Sequence, residues 1–161
     1  MSVLVLVSSE EEIPLVRALG FDYPVLVTGV GGANVIRATA SIDKNTHVIN
    51  VGYCGSKFYD KGTPLVIGLV ETYHENAEFG DGAFCDDFEG LFKSDAPNYE
   101  VASCFTSTDF VTHTNIGHPC VFDMELAFIR ALFNKVSAIK VVSDNLSREE
   151  YDQWVSESMN R

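Results

Sequence analysis

Short runs of β-branched and aliphatic residues alternate along the chain with segments in which polar and apolar residues are mixed. Six runs have the composition of strands buried on both faces, and they lie at residues 3–7, 24–29, 47–52, 64–70, 100–105 and 137–143. Helical segments include residues 124–134 and a closing helix, for which Ser147 and Glu150 have capping-box spacing. This alternation predicts one three-layer α/β domain over residues 1–161, with a mostly parallel, twisted central sheet and helices on both faces.

The segment at about 71–98 breaks the alternation, because it shows no clean hydrophobic period. It contains eight Asp or Glu residues between Glu71 and Asp95, against the single basic residue Lys93. We therefore expect an acidic loop or flap that faces solvent.

Composition and charge narrow the classes of function. The chain has 161 residues, of which 46% are hydrophobic and 21% charged, as in ordinary globular proteins. Its net charge of -12 argues against a nucleic-acid partner, since phosphate recognition needs basic patches. No apolar run approaches the length of a membrane span, so no membrane partner is expected. The cysteines have no CxxC spacing and no export signal is visible, which favours free thiols and a cytoplasmic location.

Three acids follow predicted strands closely. Glu12 comes after the first strand, Asp144 directly follows the sixth, and Glu125 begins the helix after a segment "HPCVF" that is itself a candidate short strand. Ligands of α/β sheets bind at the carboxyl ends of the strands. The sequence therefore predicts a functional site where these carboxylates meet.

Each of these acids also has a purely structural interpretation. Asp123 suits a helix cap, with Glu125 supporting the first turn, yet Glu125 shares a helical face with apolar residues, which favours a functional role. Asp144 has the position of a cap for the last helix, although Ser147 fits that place better. Ser9 and Glu12 have capping-box spacing, which Pro14 weakens, so both interpretations of Glu12 stay open.

Other chemistry has less support. The glycine turn "TGVGGANV" at residues 28–35 matches neither common phosphate-loop pattern and suits tight strand-to-helix packing. Asp109, His113, His118 and Asp123 lie near one another in sequence, but their spacing fits no zinc site. We expect neither a metal nor a cofactor.

Six pieces occur in the order found in a known superfamily, over residues 3–145: "SSEEEIPLV", "VLVTGVGGANV", "VINVGYCGS", "YHENAEFG", "FDMELAFI" and "VVSDN". The chain resembles the nucleoside phosphorylase and nucleosidase superfamily, most closely the methylthioadenosine/S-adenosylhomocysteine nucleosidases. The resemblance implies a homodimer or higher homo-oligomer. It also has departures: the chain is shorter than typical members between residues 80 and 100 and after residue 150, and "TSTDFV" is one residue short.

The resemblance implies a role for each site residue. Asp144 would protonate the purine at N7, Ser143 would orient that aspartate, and Glu12 would activate the attacking water. Glu125 would bind the ribose hydroxyls. The remaining substrate-binding residues would be Met124 against the sugar, Asp123 beside it, Cys54 and Gly55 in the turn beneath the nucleoside, Phe110 stacked on the base, and Val111 through its backbone.

Charge separates hydrolysis from phosphorolysis. Phosphorylases of this superfamily often carry an arginine where this chain has Asn50, and Glu10, Glu11 and Glu12 would repel phosphate. We therefore expect a purine nucleoside N-ribosyl hydrolase. A phosphorylase, a futalosine-type hydrolase and a catalytically silent nucleoside-binding domain are the alternatives.

Overall fold

The computed structural model describes residues 2–74 and 82–158. Within them, the strands are β1 (Val3–Val7), β2 (Val25–Val27), β3 (His47–Gly55), β4 (Pro64–Thr72), β5 (Ala83–Phe84), β6 (Glu100–Thr106), β7 (Val121–Asp123) and β8 (Lys135–Asp144). The helices are α1 (Ile13–Ala18), α2 (Gly32–Thr39), α3 (Leu126–Leu132) and α4 (Arg148–Ser158), and a 3-10 turn (Glu10–Glu12) precedes α1. All six predicted strands are present, and β7 is the short strand expected within "HPCVF".

The predicted α/β fold is confirmed, but the sheet is more closed than an open parallel sheet. Parallel pairings join β1 to β2 and β3, β3 to β8, β4 to β6, and β6 to β7. Antiparallel pairings join β3 to β7, β4 to β5, and β4 to β8. The strands β3, β8, β4, β6 and β7 therefore form a ring, with β1 and β2 extending from β3.

A β-bulge at the end of β3 completes this ring. The register of β3 against β8 shifts between Cys54 and Gly55, so that Gly55 lies opposite Asp144. Gly55 also lies opposite Phe122 of β7. Gly55 thus brings the ends of β7 and β8 together. Asp144, at the end of β8, and Glu125, just after β7, therefore lie at the same end of the ring.

Helices cover both faces of the sheet. Leu6 of β1 packs in a cluster with Val35 of α2 and Ile129 of α3. Its neighbours Val5 and Val7 point the other way, into a cluster with Val16 of α1. This alternation explains why β1 is apolar at every position. No helix in residues 2–74 and 82–158 is long and apolar enough to cross a membrane.

The acidic segment at 71–98 is only partly solvated. β4 extends through Thr72, and residues 75–81 lie outside the described residues, together with most of the "YHENAEFG" piece. Beyond them, Phe88 and Leu91 are buried in the cluster beneath α1, and the Phe21 ring lies 5.8 Å from the Phe88 ring. Aromatic residues spaced among the acids therefore anchor the second half of the segment, contrary to the expected solvent-facing flap.

Candidate active site

One cavity holds every residue that the sequence analysis assigns to a site. It comprises about 670 Å³ of empty space, including the open solvent at its mouth. Its lining includes the predicted residues Glu12, Cys54, Gly55, Phe110, Val111, Asp123, Met124, Glu125, Ser143 and Asp144. It also includes residues to which the sequence analysis gave no part in a nucleoside site: Ser8, Val30, Tyr53, Asp109, Phe122, Arg148 and Tyr151.

Glu12 is held by both of its carboxylate oxygens. Oε1 accepts hydrogen bonds from the Ser8 amide and hydroxyl, each at 2.7 Å, and Oε2 accepts one from the Tyr53 amide at 2.8 Å. The side chain of Ser9 makes no capping hydrogen bond. The capping-box interpretation of Glu12 is therefore wrong, and the carboxylate instead ties the 3-10 turn to the end of β3 inside the cavity.

Glu125 points away from its own helix. Its Oε2 accepts a hydrogen bond of 2.8 Å from the amide of Gly31, in the glycine turn before α2, and it makes no capping bond to α3. Asp123 provides that cap through the amide of Leu126 at 2.8 Å. Burial, followed by the nearby Asp123 carboxylate, raises the pKa of Glu125 to about 7. Glu125 is thus available to a ligand and titrates near neutrality.

Asp123 lies behind Glu125 in a buried ion pair. Its Oδ2 is 3.0 Å from Nζ of Lys140, and each side chain is 1% exposed. Its Oδ1 accepts hydrogen bonds from Thr106 and Cys104. Burial alone would raise the pKa of Asp123, but Lys140, the Thr106 hydroxyl and the amide of Leu126 lower it below its usual value. Because these groups occupy both oxygens, we infer that Asp123 supports the site and does not bind substrate directly.

Lys140, which pairs with Asp123 behind the cavity, is a further residue that the sequence analysis missed. Burial alone would lower its pKa, but the carboxylates of Asp123, Glu125 and Glu12 raise it above the ordinary value. A Cβ placed on Gly52 would lie 2.6 Å from Oε2 of Glu12 and 3.3 Å from Nζ of Lys140, so the glycine makes room for both groups. The signal was present, since a lysine interrupts the apolar run "SAIKVVS" of a strand predicted to be buried on both faces.

Asp144 is buried at the end of β8. Its Oδ1 accepts a hydrogen bond from the Ser143 hydroxyl at 2.8 Å, and its Oδ2 accepts one from the amide of Leu146 at 3.0 Å. Burial raises its pKa, against the opposing effect of these hydrogen bonds. A Cβ on Gly55 would lie 2.8 Å from Oδ2, so only glycine fits at the bulge. Ser147 caps α4 by accepting a hydrogen bond from the amide of Glu150, as predicted.

Aromatic side chains form the outer wall of the cavity. Phe110 and Val111 come from the irregular segment after β6, and Tyr151 comes from α4. The rings of Phe110 and Tyr151 meet edge to face at 5.7 Å. Although α4 was predicted as a helix, nothing in its polar sequence indicated which face turns inward.

Residues 2–74 and 82–158 contain no group of three or more His, Cys, Asp or Glu side chains arranged to hold a metal ion. Asp109 lines the cavity without a histidine beside it in that lining.

The fold matches solved nucleosidases over nearly the whole chain. An Asp-to-Asn variant of the nucleosidase MTAN from Chlamydia trachomatis, bound to MTA, is 18% identical with a TM-score of 0.67, and the match covers 99% of this chain and 96% of that one. The S-adenosylhomocysteine nucleosidase of Streptococcus pyogenes, in complex with 5-methylthiotubericidin, is 17% identical with a TM-score of 0.72, covering 98% and 90%. A futalosine hydrolase mutant of Helicobacter pylori is 12% identical with a TM-score of 0.68, covering 98% and 93%.

Sequence comparison alone gives nothing comparable: no protein-family model matches the chain, and no curated protein matches it. The resemblance stated from short motifs is nevertheless confirmed at the level of the fold. The chain has the fold of the methylthioadenosine/S-adenosylhomocysteine nucleosidases and of futalosine hydrolase.

Proposed function

We propose that the chain is an N-ribosyl hydrolase that cleaves purine nucleosides, including 5′-thio derivatives, with water. The observation that carries this proposal is that Glu12, Glu125 and Asp144, from three distant parts of the sequence, line one cavity. Each is buried and each is held by hydrogen bonds from the protein. The pKa values of Glu125 and Asp144 are also raised, and buried acids with perturbed pKa values are typical of catalytic sites.

Glu125 binds the sugar in this proposal. A carboxylate accepts two short, charge-assisted hydrogen bonds from a pair of ribose hydroxyls, and these offset the cost of its burial. Met124, which lines the cavity beside it, packs against the sugar ring.

Asp144 is the general acid. It donates its proton to N7 of the base while the C1′–N9 bond breaks and its electron pair passes to the base. The resulting positive charge on the sugar is met by water, which forms a new C1′–O bond and gives its proton to Glu12. The raised pKa of Asp144 supports this role, because a general acid must retain its proton at the working pH.

The ligands of the structural neighbours support the choice of substrate class. One neighbour is bound to MTA and another to 5-methylthiotubericidin. Methylthioadenosine is therefore the first substrate to test. The futalosine hydrolase neighbour supports the alternative of a hydrolase for that nucleoside.

Hydrolysis is favoured over phosphorolysis by the charges around the cavity. Asn50, at the position where phosphorylases often carry arginine, is buried and donates a hydrogen bond to the Leu6 carbonyl. Five acids line the cavity, which opposes the binding of phosphate.

Base release from methylthioadenosine, S-adenosylhomocysteine, inosine, adenosine and futalosine, with and without phosphate, tests the proposal. Release that does not need phosphate is expected. A requirement for phosphate, with ribose 1-phosphate as product, identifies a phosphorylase. Saturable binding without release of any base identifies a silent nucleoside-binding domain and overturns the proposal.

We also propose a cytoplasmic homo-oligomer. The large apolar side chains of Val27, Val30 and Ile36 are exposed, Val30 also lines the cavity, and all four cysteines are free thiols. Light scattering after gel filtration tests the oligomer, for which a monomeric mass is the contrary result.

A further inference from the structure

Ser8 follows β1 directly and lines the cavity beside Glu12, yet the proposed reaction gives it no part. Its amide and its hydroxyl both donate to the same atom, Oε1 of Glu12, and each hydrogen bond is 2.7 Å long. The amide already anchors this oxygen to the end of β1. The hydroxyl is therefore a second donor that anchoring alone does not require.

The hydrogen bonds of Glu12 leave its two oxygens unequal. An ionised carboxylate has about four lone-pair sites, two on each oxygen. The two donors of Ser8 occupy both sites of Oε1. Oε2 accepts from the Tyr53 amide at 2.8 Å, and no other group in residues 2–74 and 82–158 donates to it. One lone-pair site therefore stays open, and it belongs to Oε2.

The fold also fixes where this open site lies. Gly52 lets Oε2 lie close to the backbone of β3, since a Cβ at that position would be 2.6 Å from it. Glu12 is only 4% exposed and lines the cavity, so water reaches its carboxylate from the cavity. The position of Oε2 is thus set by β3, and that of Oε1 by the end of β1.

We propose that Ser8 is a positioning residue that makes Oε2 of Glu12 the single acceptor of the proton from the attacking water. This inference rests on the proposed function, in which Glu12 receives that proton. Because Oε1 is saturated, a water molecule binds Glu12 at Oε2 alone and is held in one place for attack at C1′. Without the hydroxyl, Oε1 gains an open site, at which water binds in a second and unproductive place.

Ser8→Ala removes the hydroxyl and keeps the amide. It is expected to lower kcat for adenine release from methylthioadenosine about tenfold, at the lower end of what a hydrogen bond to a charged group is worth. KM is expected to change less than about threefold, because the hydroxyl acts on the water and not on the nucleoside. Ser8→Thr is expected to retain most of the rate, since it keeps a hydroxyl. Steady-state assays of all variants measure both constants.

Ser9→Ala is the matched control. It removes the same group from the next residue, whose side chain makes no capping hydrogen bond and does not line the cavity. It is expected to keep kcat within about twofold of the unmodified protein. Should Ser8→Ala fold poorly, Ser8→Thr and Ser8→Val provide a pair of nearly equal shape that differs in the hydroxyl. A low kcat in Ser8→Val alone supports the inference, and equal kcat values in the two overturn it.

A double-mutant cycle with Glu12→Gln separates positioning of the base from a general structural role. If Ser8 acts through Glu12, adding Ser8→Ala to Glu12→Gln is expected to cost less than about twofold in kcat. A further tenfold loss overturns the inference, because the hydroxyl then acts independently of Glu12. If the unmodified protein releases no base, the proposed function fails and the inference fails with it. If it releases base and Ser8→Ala does so equally fast, the inference alone fails.

Discussion

The carboxyl group of Asp144 is buried, and both of its oxygens also accept hydrogen bonds from the protein. Its burial favours the protonated form, while Ser143 and the amide of Leu146 hold both oxygens in fixed directions. If Asp144 is the proton donor that we propose, it is already oriented before substrate arrives, as catalysis by a preorganised site requires.

Asp144→Asn is expected to lower kcat for base release by about a thousandfold, within the range for loss of a general acid. The amide keeps the shape, its oxygen still accepts from the Leu146 amide, and its NH2 group can donate to the Ser143 hydroxyl, so the Kd for methylthioadenosine is expected to change less than threefold. Single-turnover assays and calorimetry measure the two quantities. Unchanged kcat would contradict the role of Asp144.

The ionisation of Glu125 lowers the free energy of unfolding as the pH rises, whereas the ionisation of an acid with a lowered pKa raises it. Its pKa of about 7 in the folded chain exceeds the ordinary value for glutamate. Its contribution to the free energy of unfolding is therefore complete at pH values below that ordinary value and is lost as the pH rises through about 7. Glu125→Gln is expected to remove this loss, on the order of 2 kcal/mol. Urea unfolding at pH 5 and pH 8 measures it, and identical pH dependence in the two proteins would contradict the assignment.

The sequence predicts where the strands lie along the chain, but it does not predict how they pair or how the last helix docks. Apolar runs such as 3–7 and 64–70 identify their strands because burial on both faces leaves no polar position. The bulge at Gly55 and the ring that it closes leave no mark on hydrophobic periodicity, since each depends on a single pairing. The same holds for Arg148 and Tyr151, whose inward direction depends on where α4 docks.

The buried side chains of His47 and Ser137 link the starts of β3 and β8 to the segment after β5. Nε2 of His47 lies 2.8 Å from the Ser137 hydroxyl, which donates a hydrogen bond to the Asp87 carbonyl. Nδ1 of His47 is buried without a partner among the described residues. Burial and then Lys135 lower the pKa of this histidine, against the opposing effect of the nearby acids.

His47 is therefore expected to destabilise the fold in acid. The pKa of His47 in the folded chain is below the ordinary value for histidine. The stability that neutral His47 provides is therefore fully present at pH values above that ordinary value and declines as the pH falls below it. His47→Gln is expected to flatten the decline between pH 7 and pH 5. Melting temperatures across that interval test this, with His113→Gln, an exposed histidine, as the control.

At the scale of the whole molecule, Lys140 and Asp123 join two strands of the ring, β8 and β7, through a pair that water does not reach. Removing one member of the pair costs more stability than their mutual attraction contributes, because the other charge is then left buried without its partner.

Lys140→Met is expected to destabilise the fold by about 3–5 kcal/mol, because it leaves Asp123 charged and unpaired in the interior. The double variant with Asp123→Asn is expected to recover a large part of that loss. Urea unfolding of the single and double variants measures the coupling. Strictly additive losses would show that the two groups do not interact.

Gly55 has a consequence for the evolution of this chain. Because Gly55 pairs with both β7 and β8, the position of Asp144 relative to the segment that carries Glu125 depends on this pairing and not on the length of the connecting loops. Surface segments are therefore free to shorten or diverge while these two carboxyl groups stay near each other. A chain that is only 12–18% identical to its structural neighbours is able to keep their fold in this way.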